Sequence, residues 1–387
     1  MERAPALCPR LGLILTGGGA RAAYQVGVLK AIAEALPRGA PLPFPVLCGT
    51  SAGAINAAAL ACRADDFGAA VAQLERVWSS FHAGRVFRTG PWRALTSGLR
   101  WGLTLLAGGR GWLAPRALLD NRPLRELLAR ELRLQNIQRW IDAGYLHALS
   151  ITAASYYSGQ SVTFYQGRDS IRPWTRSRRI GIPRPITLDH LMASSAIPLI
   201  FPSVRIGFDY YGDGSMRQLA PLSAALHLGA ERLLVIGVRN EAIDHPLRQL
   251  PSYPSFGQIA GYVLDTLFMD SLYMDVERLK RINHTLHYID PEHRDEVALR
   301  PVELEWLFPS QDVRLLAEPY VHELPRSVRW LLKRLGALNR GGRPLINYLL
   351  FEAGFCRALI ELGYHDAQRR LPKLLRLLRA PAGVEAE

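Results

Sequence analysis

The sequence predicts an α/β fold around a mainly parallel sheet, and three observations predict it. Leu11 to Thr16 and Arg232 to Val238 are short, continuous apolar runs, the pattern of strands buried on both faces, as parallel strands are. Pro45 to Cys48 is a third such run. It passes through Gly49-Thr50-Ser51-Ala52-Gly53-Ala54 into the Ala-rich segment Ala54 to Ala61, which reads as strand, sharp turn and helix. Amphipathic segments separate the runs, beginning with Ala22 to Leu36, whose Val26, Leu29, Ile32 and Ala33 share one face.

The other elements follow in order. Pro37 to Pro45 is a Pro-rich connection, and Asp65 to Phe81 a second good helix. Asp120-Asn121-Arg122-Pro123 caps a helix running to about Leu134, with Pro123 in its first turn. Leu146 to Ala154 and Ser161 to Gln166 read as strands joined as a hairpin by Ser158-Gly159-Gln160. Leu188 to Ala196 is a short helix ending at Ile197-Pro198. Val204 to Tyr211 is a strand leading to Gly212-Asp213-Gly214, and Pro221 to Leu228 is a helix. After Asn240 the texture changes. Pro246, Pro251 and Pro254 mark a linker, and Phe256 to Ile282 is a long helix. Thr285 to Ile289 and Glu303 to Phe308 are candidate strands, and the remainder to Arg379 is mostly helical. A domain over 9–240 and a mostly helical extension over 241–387 are expected.

A chain of 387 residues can bury a large core. Its 49% hydrophobic and 21% charged content is ordinary globular composition. The net charge of +13 is not ordinary, and only four residues of the basic set are lysines: Lys30, Lys280, Lys333 and Lys373. An Arg excess implies an anionic partner such as nucleic acid, a membrane surface or acidic head groups; a genomic bias towards Arg codons explains it equally simply. Cys8, Cys48, Cys62 and Cys356 are scattered, which suggests neither a disulfide framework nor a zinc site but buried free thiols. No apolar run reaches the ~18 residues of a membrane span, and Leu11 to Thr16 is too short for a signal peptide. A soluble cytoplasmic protein is therefore expected, with contact to a membrane left open.

Phe81 to Arg116 interleaves Arg85, Arg88, Arg93, Arg100, Arg110 and Arg116 with Phe81, Phe87, Trp92, Trp101 and Trp112. Two readings stand: a surface insertion whose aromatics pack on the domain, or a lipid-facing lid. No nucleic-acid motif accompanies it, and no nucleic-acid partner is expected. The last helix, Arg369 to Arg379, is basic and amphipathic. Docking by its Leu face is the common arrangement, and lying on an anionic membrane is the other.

The chemistry concentrates at three places. In the turn after the second strand only small neighbours fit around a strained Ser51, and Gly49, Thr50, Ala52 and Gly53 surround it. Ser51 is expected to point into solvent at a helix N-terminus, where free N–H groups favour negative charge. A Gly-rich turn with an N-capping Ser is the plain alternative. The run Gly17-Gly18-Gly19-Ala20-Arg21 ends the first strand at a helix start and presents several N–H groups to one anion. It lacks the third Gly of a dinucleotide fingerprint, since Ala22 stands there, and no P-loop Lys follows. Asp213, between Gly212 and Gly214 at a strand end, is a carboxylate that a tight turn can project, or a simple turn-forming Asp-Gly. Of ten histidines none sits in a telling context; His190 and His227 read as cap or surface residues.

The ordered set Gly17 to Arg21, then Gly49 to Gly53, then Asp213-Gly214 resembles the patatin-like phospholipases. Val26-Gly27-Val28-Leu29 and Ala193-Ser194-Ser195-Ala196-Ile197-Pro198, followed by Phe201-Pro202, are similar to that family as well. These matches cover roughly Leu11 to Val238. Asn347 to Glu352 and Leu362 to Asp366 resemble an extension carried by a bacterial branch. The resemblance implies a three-layer α/β sandwich and a Ser–Asp dyad without histidine. Ser51 is then the nucleophile, Asp213 the base, the Gly17 to Arg21 loop the oxyanion hole, and Gly214 and Ser215 the dyad loop. The family often has Gly after the Arg, where this chain has Ala22, and usually Gly or Ala after Asp-Gly, where it has Ser215, itself small; neither departure removes a reacting group. An Asp near pKa ~4 is a weak base, so burial should raise it. No metal or other cofactor is needed, and no calcium loop of the EF-hand type is visible.

The expected function is hydrolysis of phospholipid or related lipid esters through an acyl-enzyme, with lipid as substrate partner and an anionic membrane as a peripheral contact. Alternatives are an esterase or thioesterase for soluble acyl substrates, or a membrane-associated binding protein without turnover. A Rossmann protein needs an acid at the end of a second strand, whereas Glu34 lies in the first helix. An ordinary α/β-hydrolase needs a His after the acid, with His227 and His245 as candidates.

Overall fold

The computed structural model describes residues 11–88, 117–239, 256–290, 299–334 and 343–379, with 293, 296 and 297. Most of 81–116, the 246–254 linker, His245 and Cys8 lie outside the described residues.

Among the described residues ten strands form one sheet. They are β1 (Leu11–Leu15), β2 (Val46–Thr50), β3 (Ala148–Ser155), β4 (Ser161–Gly167), β5 (Trp174–Arg176), β6 (Arg179–Pro183), β7 (Val204–Ile206), β8 (Asp209–Asp213), β9 (Arg232–Ile236) and β10 (Glu303–Leu307). The order is β10-β9-β1-β2-β3-β4-β6-β5, with β8 paired to β3 and to β7. From β10 to β3 all pairs are parallel. The β3–β4, β5–β6, β3–β8 and β7–β8 pairs are antiparallel.

The described helices are α1 (Ala23–Glu34), α2 (Ala52–Ala61), α3 (Phe67–Ser79), α4 (Ala83–Val86), α5 (Arg122–Glu131), α6 (Asn136–Asp142), α7 (Leu188–Ser194), α8 (Ser223–His227), α9 (Phe256–His287), α10 (Val313–Ala317), α11 (Arg326–Arg334), α12 (Arg343–Leu349), α13 (Ala353–Arg369) and α14 (Leu371–Arg379). Side chains alternate across the strands and make three layers. Leu13, Leu15, Leu47, Leu234 and Ile236 join the larger buried cluster with residues of α1, α2, α3 and α13. Ile14, Val46, Cys48, Leu233 and Val235 join the smaller one with α8 and α9.

Helix α13 lies on α1 through two glycines. A Cβ on Gly27 would stand 1.9 Å from the Ile360 carbonyl oxygen, and one on Gly363 would stand 2.1 Å from that of Tyr24. Only hydrogen at both positions permits so close a helix approach, which gives Gly27 a packing reason. Helix α14 docks by Leu374 and Leu377, both buried, and Arg232 donates to the Leu377 carbonyl oxygen at 2.6 Å. Cys48, Cys62 and Cys356 are buried free thiols, and burial pushes Cys48 and Cys62 up to about 12.

Several elements differ from expectation. Val204 to Tyr211 is not one strand but the β7–β8 hairpin, because Gly207 at φ 63° turns the chain. Thr285 to His287 continues α9 instead of forming a strand. The short edge strand β5, its neighbour β6 and helix α6 carry no clear periodic signal in the sequence. Among the described residues no helix is long and apolar enough to cross a membrane.

Candidate active site

The site forms where β1, β2 and β8 end. β2 delivers Ser51 into the first position before α2 at φ 54°, ψ −127°, a conformation costly for a residue with a Cβ. The turn closes only on glycine: a Cβ at Gly49 would lie 2.5 Å from the Ala54 Cα, and one at Gly53 would lie 2.2 Å from the Leu15 carbonyl oxygen. Ser51 makes no side-chain capping bond, so its hydroxyl is not spent as an N-cap. The expectation of a solvent-pointing serine needs correction, since Ser51 is only 2% exposed. It lines an apolar pocket instead.

Sheet register brings Asp213 to Ser51 across 162 positions of sequence. Thr50 pairs with Thr152 on β3, and the next residue, Ala153, pairs with Asp213 on β8. A Cβ on Gly214 would meet the Thr152 carbonyl oxygen at 2.1 Å and the Thr50 methyl at 2.9 Å, so Asp213-Gly214 lies directly against the end of β2. Asp213 is fully buried. Its Oδ1 accepts the Ser215 backbone N–H at 3.0 Å. Its Oδ2 has no partner within hydrogen-bond limits, although the Ser51 hydroxyl is near enough to favour the charged form. The two side chains therefore face each other in a loose contact. Burial pushes the Asp213 carboxyl up to about 6, against the opposing pull of Ser51 and Ser215.

The glycine loop lies beside them. Gly18 is extended and Gly19 has φ 58°; a Cβ on Gly18 would strike Val238, and one on Gly19 the Tyr348 carbonyl oxygen at 2.3 Å. Residues Gly19 to Ala22 form a single 3-10 turn, in which Arg21 N–H donates to the Gly18 carbonyl at 3.2 Å. That donor is spent within the turn. The Arg21 side chain is buried, with its guanidinium 3.8 Å above the Tyr348 ring. Gly19 and Ser51 line the same pocket.

Two sets of supporting residues carry roles that the sequence reading did not assign. Ser194 Oγ accepts the Ser51 backbone N–H at 2.8 Å and donates to the Thr152 carbonyl at 2.6 Å. Two residues on, the Ala196 carbonyl accepts the Asp213 N–H at 2.9 Å. The Ala193 to Pro198 segment thus clasps both the Ser51 turn and the Asp213 strand. The second set centres on Asn56, a lone amide in the Ala-rich α2. Its Nδ2 donates to Gln25 Oε1 at 2.9 Å and to the Ala22 carbonyl at 3.2 Å, and its Oδ1 accepts from Trp78 Nε1 at 2.9 Å. Gln25 Nε2 in turn donates to the Thr16 carbonyl at 2.9 Å. This network fixes the glycine loop relative to α2. A single polar residue inside an apolar helix is the signal that could have found it.

The pocket of about 60 Å³ starts at Gly19 and Ser51 and is walled by α2, α3 and α5. Ser51, Ile55 and Ala59 line it at four-residue spacing, one stripe ~12 Å long down α2. Its far end holds Gln73 and Glu131, joined by a 2.8 Å bond from Gln73 Nε2 to the Glu131 carbonyl. Among the described residues no histidine lines it. His190 completes the cap of α7 with Thr187, and His227 stacks on Trp174 at 4.8 Å. Burial lowers both to about 4. Among the described residues no group of three or more His, Cys, Asp or Glu converges as metal ligands.

Fold and site together define a three-layer α/β protein with a serine on a strained strand-to-helix turn facing a buried aspartate. Residues 13–226 of the 387 match the patatin-like phospholipase family, and the chain belongs to it. A stretch of 60 residues is 50% identical to lysophospholipase nte1 of Aspergillus terreus, covering 15% of this chain and 4% of that protein; the chain spans only a small part of that relative. The crystal structure of VipD from Legionella pneumophila aligns over 96% of this chain and 68% of its own, with a TM-score of 0.39 and 13% identity. At that score nothing about this chain rests on the likeness.

Proposed function

We propose that the chain is a lipid acyl hydrolase that cleaves ester bonds of phospholipids or related lipids through Ser51, Asp213 and an acyl-enzyme. One observation carries the reading: a strained, uncapped Ser51 faces a fully buried carboxylate at the mouth of an apolar pocket. Asp213, raised to about 6, is a better base near neutrality than an ordinary carboxylate. It takes the Ser51 proton as the hydroxyl oxygen attacks the ester carbonyl. The N–H groups of Gly18 and Gly19 receive the oxyanion, and losing one such donor raises the barrier by about 3 kcal/mol. Collapse expels the alcohol, which takes the proton from Asp213, and leaves an ester on Ser51 with its acyl chain along Ile55 and Ala59. Water, deprotonated by Asp213, then releases the fatty acid. No step calls on a metal or cofactor.

Labelling with a fluorophosphonate ester and release of fatty acid from mixed phospholipids test this, with Ser51→Ala and Asp213→Asn beside the parent. Labelling lost in Ser51→Ala and release lost in both variants is the expected result. Labelling that survives Ser51→Ala, or no release by the parent from any lipid or soluble ester, overturns the proposal.

A further inference from the structure

Large apolar side chains stand exposed on the same edge of the sheet as the site. Tyr156, Tyr157, Leu199, Phe208, Tyr210 and Leu219 are all at least half exposed, with Phe208 wholly so. They come from separate segments that the fold gathers. Tyr156 and Tyr157 follow β3, where Tyr156 N–H donates to the Tyr210 carbonyl at 2.9 Å and Tyr157 N–H to Asp209 Oδ1 at 3.2 Å. Phe208 is the tip of the β7–β8 hairpin, five residues before Asp213, or ~17 Å along the strand. Tyr156 lies over Gly212, and the Asp213 charge reaches its hydroxyl. Leu199 stands two residues beyond the pocket-lining Ile197, and Leu219 follows Gln218, whose Oε1 accepts the Thr50 hydroxyl at 2.8 Å.

The charges of this edge are mostly positive. Arg178, Arg205 and Arg217 are exposed. Arg178, in the turn between β5 and β6, lies beside the start of β4, where its carbonyl accepts the Ser161 N–H, and Arg205 faces Tyr210 across the hairpin. Asp209, the acid nearest the tip, is turned inward: its carboxylate takes the Ser155 hydroxyl and the N–H groups of Tyr157 and Tyr210. Tyrosines and phenylalanine ringed by arginines suit the boundary between acyl chains and anionic head groups, where an aromatic ring meets apolar matter and its polar end stays wet.

We infer that this rim, led by Phe208 and Tyr157 and flanked by Arg178, Arg205 and Arg217, is the surface on which the protein docks to an anionic lipid bilayer. The inference rests on the hydrolase reading for the choice of occupant, since β8 carries both Asp213 and the rim residue Tyr210 and the substrate would come from the same bilayer. Its test does not depend on turnover.

The experiment is flotation of Ser51→Ala protein with vesicles of phosphatidylcholine alone or with an equal share of phosphatidylglycerol. The expected result is stronger flotation with the anionic vesicles. Phe208→Asp in that background cuts the bound fraction about tenfold. Arg205→Glu with Arg217→Glu removes the preference for anionic lipid. Leu315→Asp, at a half-exposed position of α10, adds the same charge and floats as the parent does. Phe208 carries no packing, so its melting midpoint stays at the parent value; Tyr157→Asp is the second probe. The inference is overturned if the parent floats with neither vesicle or if Phe208→Asp floats like the parent. It is overturned equally if Phe208→Asp only dissolves a self-associated parent and leaves flotation unchanged, which assigns the rim to a second copy. Flotation of the Ser51→Ala protein with no ester cleavage by the chain that keeps Ser51 sinks the hydrolase reading and leaves the docking surface standing; ester cleavage by that chain without flotation does the reverse.

Discussion

The glycine loop and the segment from α12 to α13 meet at Gly19, yet different forces hold them. On one side of that contact the backbone decides everything. Gly18, Gly19, Gly49, Gly53 and Gly214 each stand where a Cβ would come within 2.6 Å of another atom, and Ser51 sits at positive φ. On the other side ordinary side-chain burial decides. Tyr348, Leu350, Phe355, Cys356 and Leu359 are all fully buried, and they cover α1 and the loop as packed apolar surface. One region is defined by what cannot be added, the other by what fills space. The first should fail in activity when altered, the second in stability.

The sharpest way to break this contrast is to exchange one residue on each side. Gly53→Ala drives a methyl into the Leu15 and Thr16 carbonyls, and the elbow must move. A displacement of about 1 Å at a reacting group costs on the order of 10²-fold in rate, so hydrolysis of a soluble ester should fall by at least that much. Leu359→Ala leaves a cavity between α13 and α1, and should cost about 2–5 kcal/mol of unfolding free energy in denaturant titrations. Its kcat/KM, measured where the variant is folded, should match the parent. Equal losses of rate in both variants would erase the distinction.

The same distinction explains what was legible in the sequence. Glycines that a turn cannot do without, such as Gly49 and Gly53, leave a mark at fixed spacing around Ser51, and Asp213-Gly214 leaves another, so the parts of the site could be read. Their meeting could not be read residue by residue, because it depends on the Thr50–Thr152 and Ala153–Asp213 registers, which no local pattern encodes. Ser194 was visible within its motif, but its bond to the Ser51 N–H is a contact across 143 positions. The parallel strands β1, β2 and β9 were legible as apolar runs. The β7–β8 hairpin was not, because Gly207 interrupts what reads as one continuous run. Thr285 to Ile289 looks like strand by composition, yet helix propagation from α9 carries through to His287.

Asp213 puts stability and activity in direct opposition. Its carboxyl is raised from 3.8 to about 6 by burial. Between those values the native state holds a proton that the unfolded chain has lost, so stability declines as pH rises through the window and stays lower above it. Asp213→Asn removes the buried charge. It should be the more stable protein above pH 6, by up to about 3 kcal/mol, with the difference vanishing below pH 4, while its hydrolytic activity is lost. The parent's kcat/KM should rise with pH through about 6 as the base forms. Melting curves of both proteins across that range check the first point, and a pH–rate profile the second. A stability gap that does not vary with pH would remove Asp213 from the comparison.

Ser194→Ala tests whether the clasp belongs to the site or to the packing. The substitution leaves the buried Ser51 N–H and the Thr152 carbonyl without their shared partner, which costs about 1–3 kcal/mol. If the clasp holds the elbow in its strained turn, kcat should fall with KM unchanged, and Ser194→Thr, which keeps the hydroxyl, should recover part of it. Stability loss with kcat intact would place Ser194 with the packing residues.

The smallest effect belongs to Tyr24, whose hydroxyl donates to Asp366 Oδ2 at 3.1 Å and so ties α1 to α13. The ring is fully buried and remains in Tyr24→Phe; only the hydroxyl goes. Asp366 Oδ2 keeps the Ser310 N–H at 2.8 Å, so the substitution leaves that oxygen partnered, and the loss should be about 1 kcal/mol. Helix α1 begins directly after the 3-10 turn of the glycine loop, which places Tyr24 two positions beyond that loop. Turnover at parent level in Tyr24→Phe, read beside a small shift in the unfolding midpoint, would place the boundary between the two regimes between Ala22 and Tyr24. A rate loss larger than the stability loss would move that boundary into α1 and make the α1–α13 contact part of what holds the glycine loop in place.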